Sequence, residues 1–248
     1  MSYNNFEFEL FARQFILKEF SEESILKLKT LNIFIIGLGG IGCSLSQYLI
    51  SSGVKNLTII DGDKIEKSNL SRQILYTIDE IGKYKADVSK KKLLKTNPYS
   101  NITEHPININ KNNLNLLSEA SILIDTTDNW HTSKMINEYC VKKSICYIFS
   151  SAVGHDIQVA LFPNRSIHHT CLNCIFPNQE DLELPRCETV GISSITAGIA
   201  GLLSAQKAIN SLLNLNDEDN TLTLFDVIKG NFQNINIIKN KDCILNKS

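Results

Sequence analysis

Short apolar runs alternate with longer amphipathic stretches over the first 150 residues of this 248-residue chain. Ile33 to Ile36, Leu57 to Ile60, Ile122 to Ile124 and Ile145 to Ser150 are brief, mostly apolar and rich in β-branched residues. They predict buried strands at 32–36, 56–60, 122–124 and 145–150. Between them, residues 41–52, Lys83 to Thr96 and His131 to Lys143 carry helical spacing, and Asn97-Pro98 stops the second of these. A more polar run at 101–105 predicts a further strand. Regular alternation of strand and helix implies a mostly parallel sheet with helices on both faces, an α/β, Rossmann-like doubly wound arrangement.

The two ends of the chain depart from this rhythm. Phe6 to Lys29 reads as helical with a break near Ser21, where Ser21-Glu22-Glu23-Ser24 is able to start a second helix. Beyond residue 150, Ile157 to Phe162 reads as a strand and 163–191 as a loop holding three cysteines. Ile192 to Leu213 predicts a long helix rich in small residues, and 214–220 a polar loop. Thr221 to Val227 and Asn231 to Ile238 alternate like antiparallel strands around Lys229-Gly230. With no internal repeat or low-complexity linker, residues 1–248 read as a single domain with a mixed sheet. Its parts are an N-terminal helical segment (1–30), a nucleotide-binding half (31–150) and a second half (151–248).

The nucleotide expectation comes from residues 33–73. The first strand ends in Gly37-Leu38-Gly39-Gly40-Ile41-Gly42, and the second ends at Asp61. Strand, glycine turn, helix, strand and acid form a dinucleotide-binding order. Gly37 permits the tight turn, Gly39 and Gly40 let backbone approach a phosphate, and Gly42 lets the helix pack close to the sheet. The helix N-terminus then offers free N–H groups and partial positive charge, and Asp61 stands where a carboxylate accepts ribose hydroxyls. A plain dehydrogenase has no use for Asn69 and Arg72 in Ser68-Asn69-Leu70-Ser71-Arg72-Gln73, whereas triphosphate oxygens match the planar donor fork of arginine. Asp128, just past a strand end in Asp125-Thr126-Thr127-Asp128-Asn129, could hold Mg²⁺ against phosphate oxygens or cap the next helix; position alone does not choose.

Composition narrows the setting. A net charge of −1 gives no basic field for nucleic acid. No secretory leader or membrane span is read, since polar residues interrupt the longest apolar stretch, Ile192 to Leu213. Seven scattered cysteines suit a reducing, cytoplasmic setting with thiols free or metal-bound. Cys171 and Cys174 form one C-x-x-C, half of a tetrahedral zinc site.

Taken together, GLGGIG (37–42), DGD with SNLSRQ (61–73), GKYKA (82–86), DTTDN (125–129), the Cys171/Cys174 pair and Arg13-Gln14 upstream of the first strand resemble the ThiF/MoeB/HesA family, relatives of ubiquitin-activating enzymes. The resemblance covers nearly the whole chain. It implies a nucleotidyltransferase that uses ATP and Mg²⁺ to adenylate the C-terminal glycine of a small ubiquitin-like sulfur-carrier protein ending in Gly-Gly. The carrier then receives sulfur from a donor such as a cysteine desulfurase or rhodanese, for thiamine, molybdopterin or a related product, and residues 151–248 become the carrier-binding half. Among six lysines at 83–95 the family pattern picks Lys85 to neutralise phosphate. It assigns Asp128 and Asn129 to the nucleotide and Mg²⁺, places Ser68 in the nucleotide-binding turn, and has Arg13 reach into the site of the other subunit of a homodimer.

The resemblance also implies a second cysteine pair, matched here by Cys243 and Asn246, so a zinc ion would be held by Cys171, Cys174 and Cys243, with Asn246 at the fourth ligand position and His168 or His169 as substitutes; a degenerate, metal-free site is the alternative. Cys187, beside Arg186, occupies the loop where sulfur-moving relatives carry a reactive cysteine, against a reading as an inert thiol. Ser133 stands where many relatives have arginine, with Lys134 next to it. Three other readings remain open: an NAD(P)-linked oxidoreductase on the same glycine unit, a non-catalytic partner subunit of the family, and adenylation of a peptide or a modified tRNA base.

Overall fold

The computed structural model describes residues 5–166, 169–177, 190–215, 220–241 and 243. Eight strands form one continuous sheet: β1 (Asn32–Ile36), β2 (Asn56–Ile60), β3 (Asn101–His105), β4 (Ile122–Asp125), β5 (Cys146–Val153), β6 (Asp156–Phe162), β7 (Thr221–Asp226) and β8 (Asn231–Asn236). Their order is β3-β2-β1-β4-β5-β6-β7-β8. The pairings from β3 through β5 are parallel, and those from β5 to β8 are antiparallel. This is the mixed sheet that the periodicity predicts. Strand order reverses between β1 and β4, and the crevice beyond their carboxyl ends is where ligands of open α/β sheets bind.

The helices are α1 (Asn5–Phe11), α2 (Glu22–Thr30), α3 (Gly40–Ser51), α4 (Lys85–Thr96), α5 (Trp130–Lys143), α6 (Leu172–Ile175) and α7 (Ser194–Leu213). Strand alternation sorts them into two layers. Ile33 and Ile35 of β1 share a core with Leu45 and Leu49 of α3, Leu93 of α4 and Ala208 and Leu212 of α7. Phe34 and Ile36 face the other way, into a second core with Ile136 and Cys140 of α5, Tyr147 and Phe162. Side chains therefore cover both faces of the central strands, which is why those strands read as uninterrupted apolar runs.

Local chemistry sets the helix ends. Ser21 caps α2, its hydroxyl accepting from Ser24 N at 3.2 Å. Asn129 caps α5, accepting from Thr132 N at 2.9 Å. Ser144 and Asn214 close α5 and α7 in left-handed backbone, with φ of 55° and 54°. Two expectations need correction. The helical reading of Phe6 to Lys29 is too long: turns occupy residues 12–19, and Arg13 lies in them rather than on a helix. The loop at 163–191 contains the short helix α6, which starts directly after Cys171. Among the described residues no helix is long and apolar enough to cross a membrane.

Candidate nucleotide site and thiol cluster

A cavity of about 640 Å³ opens at the reversal point, lined by the glycine turn, the ends of β2 and β4, residues 107–109 after β3, Ser151 to Val153 of β5, and Ile192 and Ala197 before and within α7. Gly37 adopts φ +95° with its Cβ position only 2.9 Å from Thr126 O, so a side chain there is excluded on both counts. Gly42 lies outside the cavity lining, and a Cβ on it would stand 2.1 Å from Gly37 O, so its role is close packing of α3 beneath the turn. Gly39 caps α3 without a side-chain hydrogen bond, leaving the first amides of the helix open toward the cavity.

Asp61 sits at the end of β2, 9 % exposed. Its Oδ2 accepts from Leu38 N at 2.6 Å and its Oδ1 from Asp63 N at 2.8 Å, so it ties the glycine turn to β2 while remaining on the cavity wall. Burial raises its pKa above the ordinary carboxylate value, opposed by the nearby Lys85 charge and by these two amides. Behind the turn, burial pushes the Cys43 thiol up to about 12, so it stays protonated and packs as an apolar group.

Burial separates the lysines that spacing leaves equivalent. Lys85 is 6 % exposed and donates to Asp63 Oδ2 at 2.8 Å at the cavity wall. Lys90 and Lys92 pair with Glu104 and Glu80, while Lys83, Lys91 and Lys95 are exposed. Arg72 also lines the cavity, its Nη1 donating to Ser68 O at 3.0 Å. Asn69 is buried and structural in part, its Oδ1 accepting from Glu66 N at 3.1 Å. Ser68 is exposed and outside the cavity lining; it touches the site through its carbonyl on Arg72 and its hydroxyl, which donates to Glu66 Oε2 at 3.3 Å and accepts from Asn69 Nδ2 at 3.5 Å.

At the end of β4 the helix cap and the cavity wall fall to adjacent residues. Asn129 is the cap, and Asp128 is exposed on the cavity wall. A hard carboxylate oxygen on the wall of a cavity of this volume is the kind of ligand that Mg²⁺ takes beside phosphate. Ser133 does not face this space. It is 1 % exposed and sits against Thr127, with the hydroxyl oxygens 3.4 Å apart. Lys134 lies over the Trp130 ring at 5.7 Å from its centroid rather than in the cavity lining. Arg13 is exposed and lies outside the cavity of its own chain.

Away from this cavity, Cys171 at the start of α6 and Cys243 near the chain end bring their sulfurs to 3.5 Å, and Cys171 and Cys174 are 3.8 Å apart. All three sulfurs lie within 4.8 Å of one another. Tetrahedral zinc with bonds of about 2.3 Å spaces its sulfurs by about 3.8 Å, so this triangle fits zinc. The hydrogen bond shared by Cys171 and Cys174 lowers Cys174 to about 5 and raises Cys171. His169 does not offer Nδ1 as the fourth ligand, because that atom accepts from Arg165 N and Ser166 N, both at 3.0 Å. Asn246, His168, Arg186 and Cys187 lie outside the described residues.

The pattern of the ThiF family matches residues 11–245. The chain belongs to the ThiF family. It is 29 % identical over 98 % of its length to a sulfur carrier protein adenylyltransferase of Thermus thermophilus, of which it covers 92 %. It is 32 % identical to the adenylyltransferase and sulfurtransferase MOCS3 of Drosophila virilis, covering 94 % of this chain and 52 % of that one, about half the insect protein's length. Among solved structures, Escherichia coli MccB with MccA-N7isoASN superposes with a TM-score of 0.84 at 25 % identity, over 99 % of this chain and 76 % of that one. MccB with ATP gives 0.79 at 25 % identity, over 90 % and 68 %.

Several residues of this ThiF-family site escape sequence reasoning. Asp125 is fully buried and accepts from Thr127 N at 2.9 Å, Thr127 Oγ1 at 2.7 Å and Tyr147 OH at 2.9 Å, holding the loop that presents Asp128. Burial raises its pKa. Thr126 Oγ1 donates to Gly37 O at 2.7 Å and fastens that loop to the glycine turn. The DTTDN run contains both residues, but attention to its exposed acid hides the two that build the support. Asn108 closes the far side: a Cβ on Gly62 would stand 2.5 Å from its Oδ1. Nothing in the polar stretch around it signals this from spacing.

Proposed function

We propose that this chain adenylates the C-terminal carboxylate of a small ubiquitin-like sulfur-carrier protein ending in Gly-Gly. The observation that carries the reading is the placement of Arg72, Lys85 and Asp128 around one cavity with the glycine turn of a ThiF-family fold. A carboxylate is a weak nucleophile, and it has to meet a phosphate of like charge. Catalysis therefore rests on charge screening and in-line placement. The first turn of α3 seats phosphates, Asp61 receives the ribose, and Arg72 and Lys85 offset phosphate charge, with Lys85 exchanging its Asp63 partner for phosphate oxygens. Asp128 and Asn129 flank the site at the end of β4. Mg²⁺, held by Asp128, would supply further charge neutralisation between phosphate oxygens. Attack on the α-phosphorus gives acyl-adenylate and pyrophosphate, and a sulfur nucleophile later displaces AMP to leave a thiocarboxylate.

The exposed Arg13 fits a homodimer in which each site borrows this residue from the other subunit. Zinc on Cys171, Cys174 and Cys243 would be structural, pinning α6 to the segment after β8, and Cys187 is proposed as a sulfur-handling thiol. A sulfur donor of the cysteine desulfurase or rhodanese type and a cytoplasmic setting complete the reading. The names of the relatives support it over an NAD(P)-linked oxidoreductase. The test is paired titration of ATP·Mg²⁺ and NADH, followed by carrier-dependent exchange of pyrophosphate into ATP. Tight NADH binding without ATP binding overturns the proposal; ATP binding with exchange at or below background in the presence of a cognate carrier would leave a non-catalytic family member.

A further inference from the structure

Three side chains among the described residues bury a polar atom that has no hydrogen-bond partner: Ser100 Oγ, Thr196 Oγ1 and Gln73 Oε1. Of these residues, Gln73 alone lines the nucleotide cavity. It is 3 % exposed, so the missing partner is not replaced by bulk water. Its position is well determined by the backbone. Gln73 N donates to Asn69 O at 2.9 Å, and Tyr76 N donates to Gln73 O at 3.1 Å. The neighbouring Arg72 O lies 3.2 Å from where a Cβ on Gly40 would stand, and Gln73 Nε2 lies 3.8 Å from the corresponding point on Gly39. The turn carrying Arg72 and Gln73 is thus pressed onto the first turn of α3.

A buried amide oxygen without a protein partner destabilises a folded protein, and each such group calls for an explanation, a binding role among them. Here the acceptor end of the amide points inward, unpaired, and the donor end faces the glycine turn. That orientation is the useful one for an anion. Phosphate oxygens over the N-terminus of α3 receive backbone N–H groups, and an amide N–H beside Gly39 adds a donor without adding charge. The reverse orientation would set an oxygen against phosphate oxygens. We infer that Gln73 is a further phosphate-contacting residue, donating from Nε2 to the phosphate oxygens held above Gly39 and Gly40. This rests on the ATP reading proposed above.

The inference makes stability and affinity move in opposite directions, which a structural glutamine does not. Gln73→Met keeps the length of the side chain and removes both the unpaired acceptor and the donor. Thermal unfolding should show the variant at least as stable as wild type. Calorimetric titration should show ATP and ADP binding roughly tenfold more weakly, the loss of one hydrogen bond to a charged group, with adenosine binding unchanged. Gln73→Glu places a carboxylate at the same point and should weaken ATP more than Gln73→Met does. A Gln73→Met protein that melts lower and binds ATP like wild type would make Gln73 a packing residue and overturn the inference. Equal losses for ATP and adenosine would also overturn it, because the contact would then not be to phosphate. Wild-type protein that binds no ATP removes the underlying reading itself, a result distinct from either of these.

Discussion

Adding a single methyl group at Gly201 tests how the fold supports the cavity. Gly201 is buried where α7 crosses α3, and a Cβ there would stand 2.0 Å from Ser44 Oγ, 2.5 Å from Ile41 O and 2.8 Å from Leu45 N. Two of these neighbours are backbone atoms of α3 and have no rotamer to escape into. Comfortable separations between nonbonded heavy atoms are about 3.5 Å, so the helices have to part by roughly 1 Å. Overpacking of this kind costs about 1–3 kcal/mol, and replacing glycine by alanine in a helix returns about 1 kcal/mol. Gly201→Ala should therefore lose up to about 2 kcal/mol, a fall in melting temperature of up to roughly 8 °C for a chain of this size. Gly198, one turn earlier on α7, is the control: a Cβ there meets nothing within 4 Å, so Gly198→Ala should keep or raise stability. Combining Gly201→Ala with Ser44→Ala relieves one of the three contacts and should rescue only part of the loss. Because α3 begins at the glycine turn, ATP affinity should fall with the separation. Thermal melts of all four proteins and an ATP titration decide the matter, and a Gly201→Ala protein as stable as Gly198→Ala would refute the packing argument.

Four further outcomes are expected. Asp128→Ala and Arg72→Ala should each lose about 10²–10³ of carrier-dependent pyrophosphate exchange with little change in melting; near wild-type exchange in either removes the role given to that residue. Mixed Arg13→Ala and Asp128→Ala chains should regain activity through the one hybrid site that keeps both groups, and proven subunit exchange without rescue would count against Arg13 acting across subunits. Protein purified without added metal should hold at most one zinc per chain, and Asn246→Cys should hold it more tightly against a chelator; elemental analysis showing none in either would mean that the thiol triangle serves without metal. Asp61 is raised by burial, so the folded state binds its proton more tightly than the unfolded state between the raised value and 3.8. As pH falls through that window, wild type should gain stability relative to Asp61→Asn, and urea unfolding of both that shows the opposite slope would contradict the assignment.

The strands at the middle of the sheet are legible in the sequence because they are buried on both faces, while β3 at its edge is polar and mostly unburied. Asn32–Ile36, Asn56–Ile60 and Asn101–His105 match the expected ranges, and β4 and β5 differ by a few residues at their ends. The N-terminal segment reads less well, since its amphipathic spacing suits either a long helix or turns packed on the body. Glu7 illustrates this: it is buried in a 3.0 Å ion pair with Lys29, a partner set by tertiary packing alone. In the site, glycines and Asp61 announce themselves by spacing. Lys85 does not, because what distinguishes it from its neighbours is burial against Asp63. Asp128 becomes a ligand candidate on structural grounds only once Asn129 is seen to do the capping.

Asn137 connects two parts of the molecule that otherwise have little in common. It is fully buried on α5, accepts from Leu172 N at 2.9 Å and donates to Asn173 Oδ1 at 3.2 Å. Leu172 follows Cys171 immediately, and α5 is capped by Asn129, beside Asp128. The thiol triangle is therefore tied, through the Leu172 amide, to the middle of the helix whose N-terminal cap stands beside the acid at the cavity. Removing the Asn137 amide would leave the buried Leu172 N–H without its acceptor, a cost of about 1–3 kcal/mol, from a residue that belongs to neither the cavity wall nor the thiol triangle.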